Sequence, residues 1–247
     1  MLYIEKEGLP NDVNRKIIEL SKSEKWKNVS EDDTAAIRNV FDNDFPKNEV
    51  KEILLHEQHG ICAYCMKRIR MDNHSRVEHL VPLSKNKEMA IDYNNMLGVC
   101  DGGEKVTGKK EHILCCDAHK KETEITINPF NKSQMDKIAY DSEGKIYTKP
   151  RDDEMEKDIN ETLLLNGIQK KDGTVRDTST ELLKGRKDAY GRAKRMMKRL
   201  NTKGKCTSAT LKKIMDELYN REEREEFVGV QLYYFRKHYN SLICRGM

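Results

Sequence analysis

Four short motifs follow one another in residues 62–120: Cys62-Ala-Tyr-Cys65, Val77-Glu78-His79-Leu80-Val81-Pro82-Leu83-Ser84, Asn95-Met96-Leu97-Gly98-Val99-Cys100 and Cys115-Cys116-Asp117-Ala118-His119-Lys120. The first is a CxxC knuckle. Its two-residue gap lets both thiolates converge on one ion, and zinc then needs two more soft ligands to close a tetrahedron at about 2.3 Å per Zn–S bond. Cys100 supplies the third. Adjacent cysteines seldom bind the same ion, so Cys115 and Cys116 compete for the fourth place, with Cys116 expected to take it. The alternative, a redox-active CxxC, belongs at a strand-to-helix junction in a βαβ unit. Here a helical pattern precedes the knuckle.

The chain has 247 residues, and five of its seven cysteines fall in residues 62–116. An odd count, together with charges that arrive early in Met-Leu-Tyr-Ile-Glu-Lys instead of an apolar leader, argues against a disulfide framework and for a cytoplasmic protein. Charged residues make up 36% of the chain, and no run of about 18 apolar residues offers a membrane span.

Around the cysteine cluster the pattern is helical. Residues 1–60 carry three helix candidates: Asn11 to Trp26, a segment starting at Ser30 with acids at 31–33, and Val50 to His59 stopped by Gly60. Residues 61–123 read as knuckle, strand (Val77, Val81 and Leu83 alternating to Pro82), loop, strand (Met96 to Val99), polar Gly/Lys loop and helix. In residues 124–247, Ile125-Thr126-Ile127 reads as extended and Ser142-Glu143-Gly144 as a turn. Residues 152–247 read as helix again, including Leu211 to Tyr219 and Phe227 to Tyr239. Ala189, Ala193, Met196/Met197 and Leu200 form a stripe at helical spacing, with the methionines read as core. The expected fold is α+β: mostly α, with a small zinc-stapled ββα module.

The formal net charge is +4, and it is unevenly spread. Residues 184–205 hold ten Lys/Arg and one acid, Asp188, so that window carries +9 and the remainder −5. A basic patch on an acidic body suits contact with a phosphate backbone. The candidates are Arg192, Lys194, Arg195, Lys198 and Arg199.

The ordered set CxxC, Glu-His, Asn-(x)4-Cys and Cys followed by Asp, His and Lys resembles the HNH, or ββα-metal, endonuclease family. The helical lead-in to the knuckle, Asn128-Pro129-Phe130 and the helical tail are similar to the PtuB-type HNH subunit of Septu and retron-associated anti-phage systems. The resemblance implies phosphodiester hydrolysis, with His79 as general base and Asn95 orienting it or the loop that holds it. Glu78 and His119 are the expected ligands of a catalytic Mg²⁺ or Mn²⁺, Asp117 being the rival to His119. An unperturbed histidine titrates near 6.5, so the rate is expected to rise from about pH 6 to 8. Strict strand alternation puts Glu78 and His79 on opposite faces, so they share a site only if the strand ends or twists there. DNA is the favoured substrate, RNA such as tRNA the alternative. The implied partners are a PtuA-like ABC-type ATPase and a retron reverse transcriptase with its DNA. A zinc-stapled binding module without activity is the competing class.

Overall fold

A computed structural model describes residues 1–108 and 110–244. The first sixty residues fold as four helices, two of which start at side-chain caps and two directly after a proline. Helix α1 (Asn11–Lys22) stops where Ser23 turns extended, and Ser23 accepts the Trp26 N–H to start α2 (Glu24–Lys27). The continuous helix expected over Asn11 to Trp26 is therefore broken by a cap residue. Asp33 caps α3 (Thr34–Asn43), so the acids at 31–33 precede the helix and do not form its first turn. Helix α4 (Lys47–Glu57) leads into His59 and Gly60, both at positive φ, which redirect the chain into the knuckle.

Strands β1 (Ser75–His79) and β2 (Met96–Cys100) pair antiparallel, with His79 opposite Met96. β1 ends at His79, before Pro82. The short helix α5 (Cys116–Lys120) follows the second loop. Beyond it come α6 (Lys132–Met135), the hairpin β3 (Ile138–Tyr140) and β4 (Ile146–Thr148), and α7 (Asp153–Lys157), which runs into a π turn. The small hairpin β5 (Ile168–Gln169) and β6 (Val175–Arg176) precedes three closing helices, α8 (Leu182–Thr202), α9 (Ser208–Tyr219) and α10 (Val228–Cys244). The fold is α+β. Residues 125–127 form no strand. The Thr126 and Ile127 N–H groups donate to the Asp158 carboxylate, at 2.6 and 2.9 Å, so a side chain satisfies what a neighbouring strand would have. Among the described residues no helix is long and apolar enough to cross a membrane.

Two apolar cores meet at the β1–β2 hairpin. Val77 and Met96 pack with α1, α3 and α4 through Val13, Ile37, Phe41 and Leu54. Leu97 and Val99 join the knuckle and the C-terminal helices through Tyr64, Leu163, Ala189 and Phe235. Strand alternation thus assigns each face of the hairpin to a different half of the chain. On α8 the expected methionine pair divides: Met197 is buried and Met196 is 40% exposed. Arg186, one of the ten Lys/Arg in the basic window, is fully buried and donates to the Gly144 and Leu165 carbonyls. It ties α8 to the β3–β4 turn.

Helix α8 approaches the chain before α10 at Gly185, where an added Cβ would lie 2.2 Å from the Phe227 ring. Gly185→Ala is expected to destabilise the protein by about 1–3 kcal/mol in urea unfolding. Gly191→Ala, which meets only the flexible end of Arg195 at 3.3 Å, should be neutral or stabilising by up to about 1 kcal/mol.

Candidate metal centre and adjoining cleft

Cys62 and Cys65 come from the knuckle, Cys100 from the end of β2 and Cys116 from the first residue of α5. Their four sulfurs lie within 4.8 Å of one another, and all four residues are buried. Tetrahedral zinc with bonds of about 2.3 Å needs sulfurs about 3.8 Å apart. The Cys65–Cys100 Sγ separation is 3.7 Å. The donor set and its geometry therefore fit a structural zinc ion. Cys115 lies outside the four, its Sγ 3.5 Å from both the Gly102 carbonyl and the Thr180 hydroxyl. Gly102 has a φ of +61°, and a Cβ there would sit 2.2 Å from the Cys115 oxygen, so only glycine allows the loop to bring Cys115 and Cys116 alongside Cys100.

Beyond the cluster, along the free edge of β1, lies a cleft of about 370 Å³. Its floor is Arg76 to His79, one wall is α3–α4 and the other α5. Glu78 and His79 both line it: β1 ends there, and groups from its two faces reach the same space around an unpaired edge. From α5 the cleft takes Asp117, Ala118 and Lys120. His119 is not part of its lining. It is exposed, and its Nδ1 lies 3.0 Å from the Thr162 carbonyl on the far side of the helix. The structure therefore does not bring His119 into the cleft with Glu78 and His79. With Cys116 in the cluster, the next residue, Asp117, and the one a turn later, Lys120, face inward, while 119 faces away.

Glu78 is 6% exposed, and its Oε1 accepts hydrogen bonds from the Lys120 ammonium (2.7 Å) and the Tyr64 hydroxyl (3.3 Å). Burial and, next, the charge of Asp117 push its carboxyl up to about 8, against the opposing pull of Lys120. Two carboxylates crowded into a half-desolvated cleft favour a bound cation. Asp117 also receives Arg76 at 3.3 Å. Tyr64 sits inside the CAYC knuckle, so the cluster and the acid are linked through one phenol.

His79 packs edge-on against Phe41 of α3, with centroids 4.6 Å apart. Its Nε2 lies 3.0 Å from the Ala90 carbonyl. A carbonyl only accepts, so Nε2 carries the hydrogen and Nδ1 keeps the lone pair. Burial lowers the imidazole to about 4, with the Arg38, Lys120 and Lys47 charges adding to the effect. Asn95 does not touch the ring. Its Oδ1 accepts the Val81 N–H (2.8 Å), and its Nδ2 donates to the Val81 and Met89 carbonyls (2.9 and 3.0 Å). It closes the 80–95 loop that carries Ala90, and so sets the imidazole through that carbonyl.

Arg192, Lys194, Arg195, Lys198 and Arg199 are all exposed on α8, and among the described residues no ion pair ties them to a carboxylate. Lys184 and Lys187, in the same charge-rich window, are paired with Glu181 and Glu143. Tyr64, Phe41, Lys120 and Arg38 were not among the expected site residues. Lys120 alone had a sequence signal, its spacing of three from Asp117 on one helix. Comparison with known protein families and with curated proteins finds no match.

One zinc per chain is expected by elemental analysis. Cys116→Ser should lose it and unfold at a lower temperature, because a four-thiolate zinc contributes on the order of 10 kcal/mol to folding. Cys115→Ser should keep it, and loss of zinc in that variant instead would reverse the ligand assignment.

Proposed function

We propose that this chain is a metal-dependent HNH-type endonuclease that hydrolyses phosphodiester bonds, DNA being the favoured substrate. The observation that carries the reading is the shared cleft of His79, Glu78 and Asp117, built on a hairpin and helix whose ends meet at four thiols. Zinc is the proposed occupant of those thiols. Glu78 and Asp117 offer hard oxygen ligands for Mg²⁺ or Mn²⁺, which when bound would neutralise the phosphate and stabilise the leaving oxygen. His79 takes a proton from water at Nδ1, while its Nε2–H stays on Ala90. Lys120 holds Glu78 in place, and Asn95 holds the loop behind His79. The α8 stripe supplies sequence-independent contacts to the backbone. RNA presents the same phosphate and is the alternative substrate. By its resemblance to PtuB-type subunits, the protein is further proposed to be the nuclease effector of an anti-phage complex with a PtuA-like ATPase.

One observation favours a second reading. Lys120 already neutralises Glu78 at 2.7 Å, as suits a zinc-stapled binding module without catalysis. Nicking of supercoiled plasmid and cleavage of tRNA, with Mg²⁺ and Mn²⁺, separate the two. His79→Ala and Asp117→Ala should each slow cutting by about 10²–10⁴-fold, while His119→Ala changes it little. Cutting by His79→Ala at the wild-type rate would remove the proposed base.

The pH profile follows from the same groups. Buried His79, lowered to about 4, is already neutral at pH 6, so the rise between pH 6 and 8 expected of an ordinary histidine is replaced by a flat profile at saturating cation. With limiting cation the rate should climb toward pH 8, because the ion and a proton compete for Glu78, raised to about 8. A midpoint near 6.5 at saturating cation would mean that the base is a solvated group elsewhere.

A further inference from the structure

At the mouth of the cleft, Glu122, just beyond α5, is gripped on both oxygens by different parts of the chain. Arg38 on α3 donates to Oε1 at 2.9 Å, and the Ser84 hydroxyl, on the loop after β1, donates to Oε2 at 2.6 Å. A guanidinium and a hydroxyl converging on two oxygens of one anion form a donor set suited to the non-bridging oxygens of a phosphodiester. Arg38 lies one helical turn before Phe41, whose ring backs His79, so the same face of α3 both supports the imidazole and reaches the cleft mouth. The Arg38–Glu122 pair is about half exposed, 51% and 50%, so it contributes little to stability and is cheaply exchanged.

We propose that Arg38 and Ser84 form a subsite for a backbone phosphate of the nucleic-acid substrate, and that the Glu122 carboxylate occupies it until the phosphate displaces it. This rests on the reading of the cleft as a phosphodiesterase site and extends that site to the N-terminal helices. Arg38 and Glu122 lie outside the cysteine-rich stretch, Ser84 lies within it, and Glu122 acts as a built-in competitor for substrate. A phosphate in the place of the Glu122 carboxylate would take the same Arg38 Nη2 and Ser84 hydroxyl donors, so removing the carboxylate tightens binding only while Arg38 is present.

The test uses the full zinc-loaded chain carrying His79→Ala, a fluorescein-labelled DNA duplex and Ca²⁺, with binding followed by anisotropy at several salt concentrations. Arg38→Gln should weaken binding about tenfold and flatten the salt dependence by about one counterion. Glu122→Gln should tighten binding about threefold, and the Arg38→Gln/Glu122→Gln pair should show no such gain. Ser84→Ala should weaken binding in the same direction as Arg38→Gln. With His79 restored, Glu122→Gln should lower KM and leave kcat unchanged. Thermal unfolding of the Arg38 and Glu122 variants should match their parent. If the wild type cuts nucleic acid yet the Arg38 and Glu122 variants bind like their parent, the subsite is wrong and the nuclease reading stands. If the wild type neither binds nor cuts DNA or RNA, both fall.

Discussion

Four sulfurs drawn from three separated stretches of chain set the geometry of everything around them. Cys62 and Cys65 hold the knuckle, Cys100 ends β2 and Cys116 opens α5, so the convergence of their sulfurs joins the hairpin to the helix at a set angle. That angle decides which residues of α5 face β1. Asp117 and Lys120 face Glu78, and His119 faces the π turn. Tyr64, fully buried between the two cysteines of the knuckle, carries the same constraint to the Glu78 carboxylate. The hairpin has only two strands of five residues, too little to fold unaided, and it is held by the two apolar cores that cover its faces and by the four thiols at its end.

The hairpin also serves as the partition between two cores. Its faces are claimed by different halves of the chain, and β1 keeps an unpaired edge. Residues on opposite faces of a strand ordinarily serve different environments. At the last residue of a strand, beside a free edge, they can reach one cleft, and Glu78 and His79 do so. The two halves then tune the pair in opposite directions. Desolvation with a neighbouring carboxylate raises the acid, while desolvation with Arg38, Lys120 and Lys47 nearby lowers the imidazole. A carboxyl shifted upward thus sits beside an imidazole that stays neutral.

Much of the site was legible because its signals are local. The CxxC gap, the Cys100 and Cys116 positions and the Glu-His pair are short-range patterns, and the strand and helix that carry them follow from apolar alternation and from turn residues. Asn95 was expected to orient His79 or its loop, and it holds the loop, through Val81 and Met89. Other features depend on partners far along the chain. Whether Asp117 or His119 lines the cleft depends on which face of a five-residue helix meets β1. Residues 125–127 read as a strand because Ile-Thr-Ile favours extended backbone, but their N–H groups bond to Asp158. Arg186 lies in the basic window, yet it is buried against the Gly144 and Leu165 carbonyls, both far away in sequence.

By its own order of residue types, the chain determined that four soft ligands and an acid–imidazole pair would lie in one small α+β segment flanked by helices. Propensity, capping and ligand spacing act over a few residues and need no partner. Only the tertiary structure decided which α5 side chains enter the cleft, that Phe41 and Arg38 from the N-terminal helices complete it, and how far Glu78 and His79 are shifted. Those outcomes depend on burial and on charges brought together from distant positions, and desolvation exists only once the chain has packed.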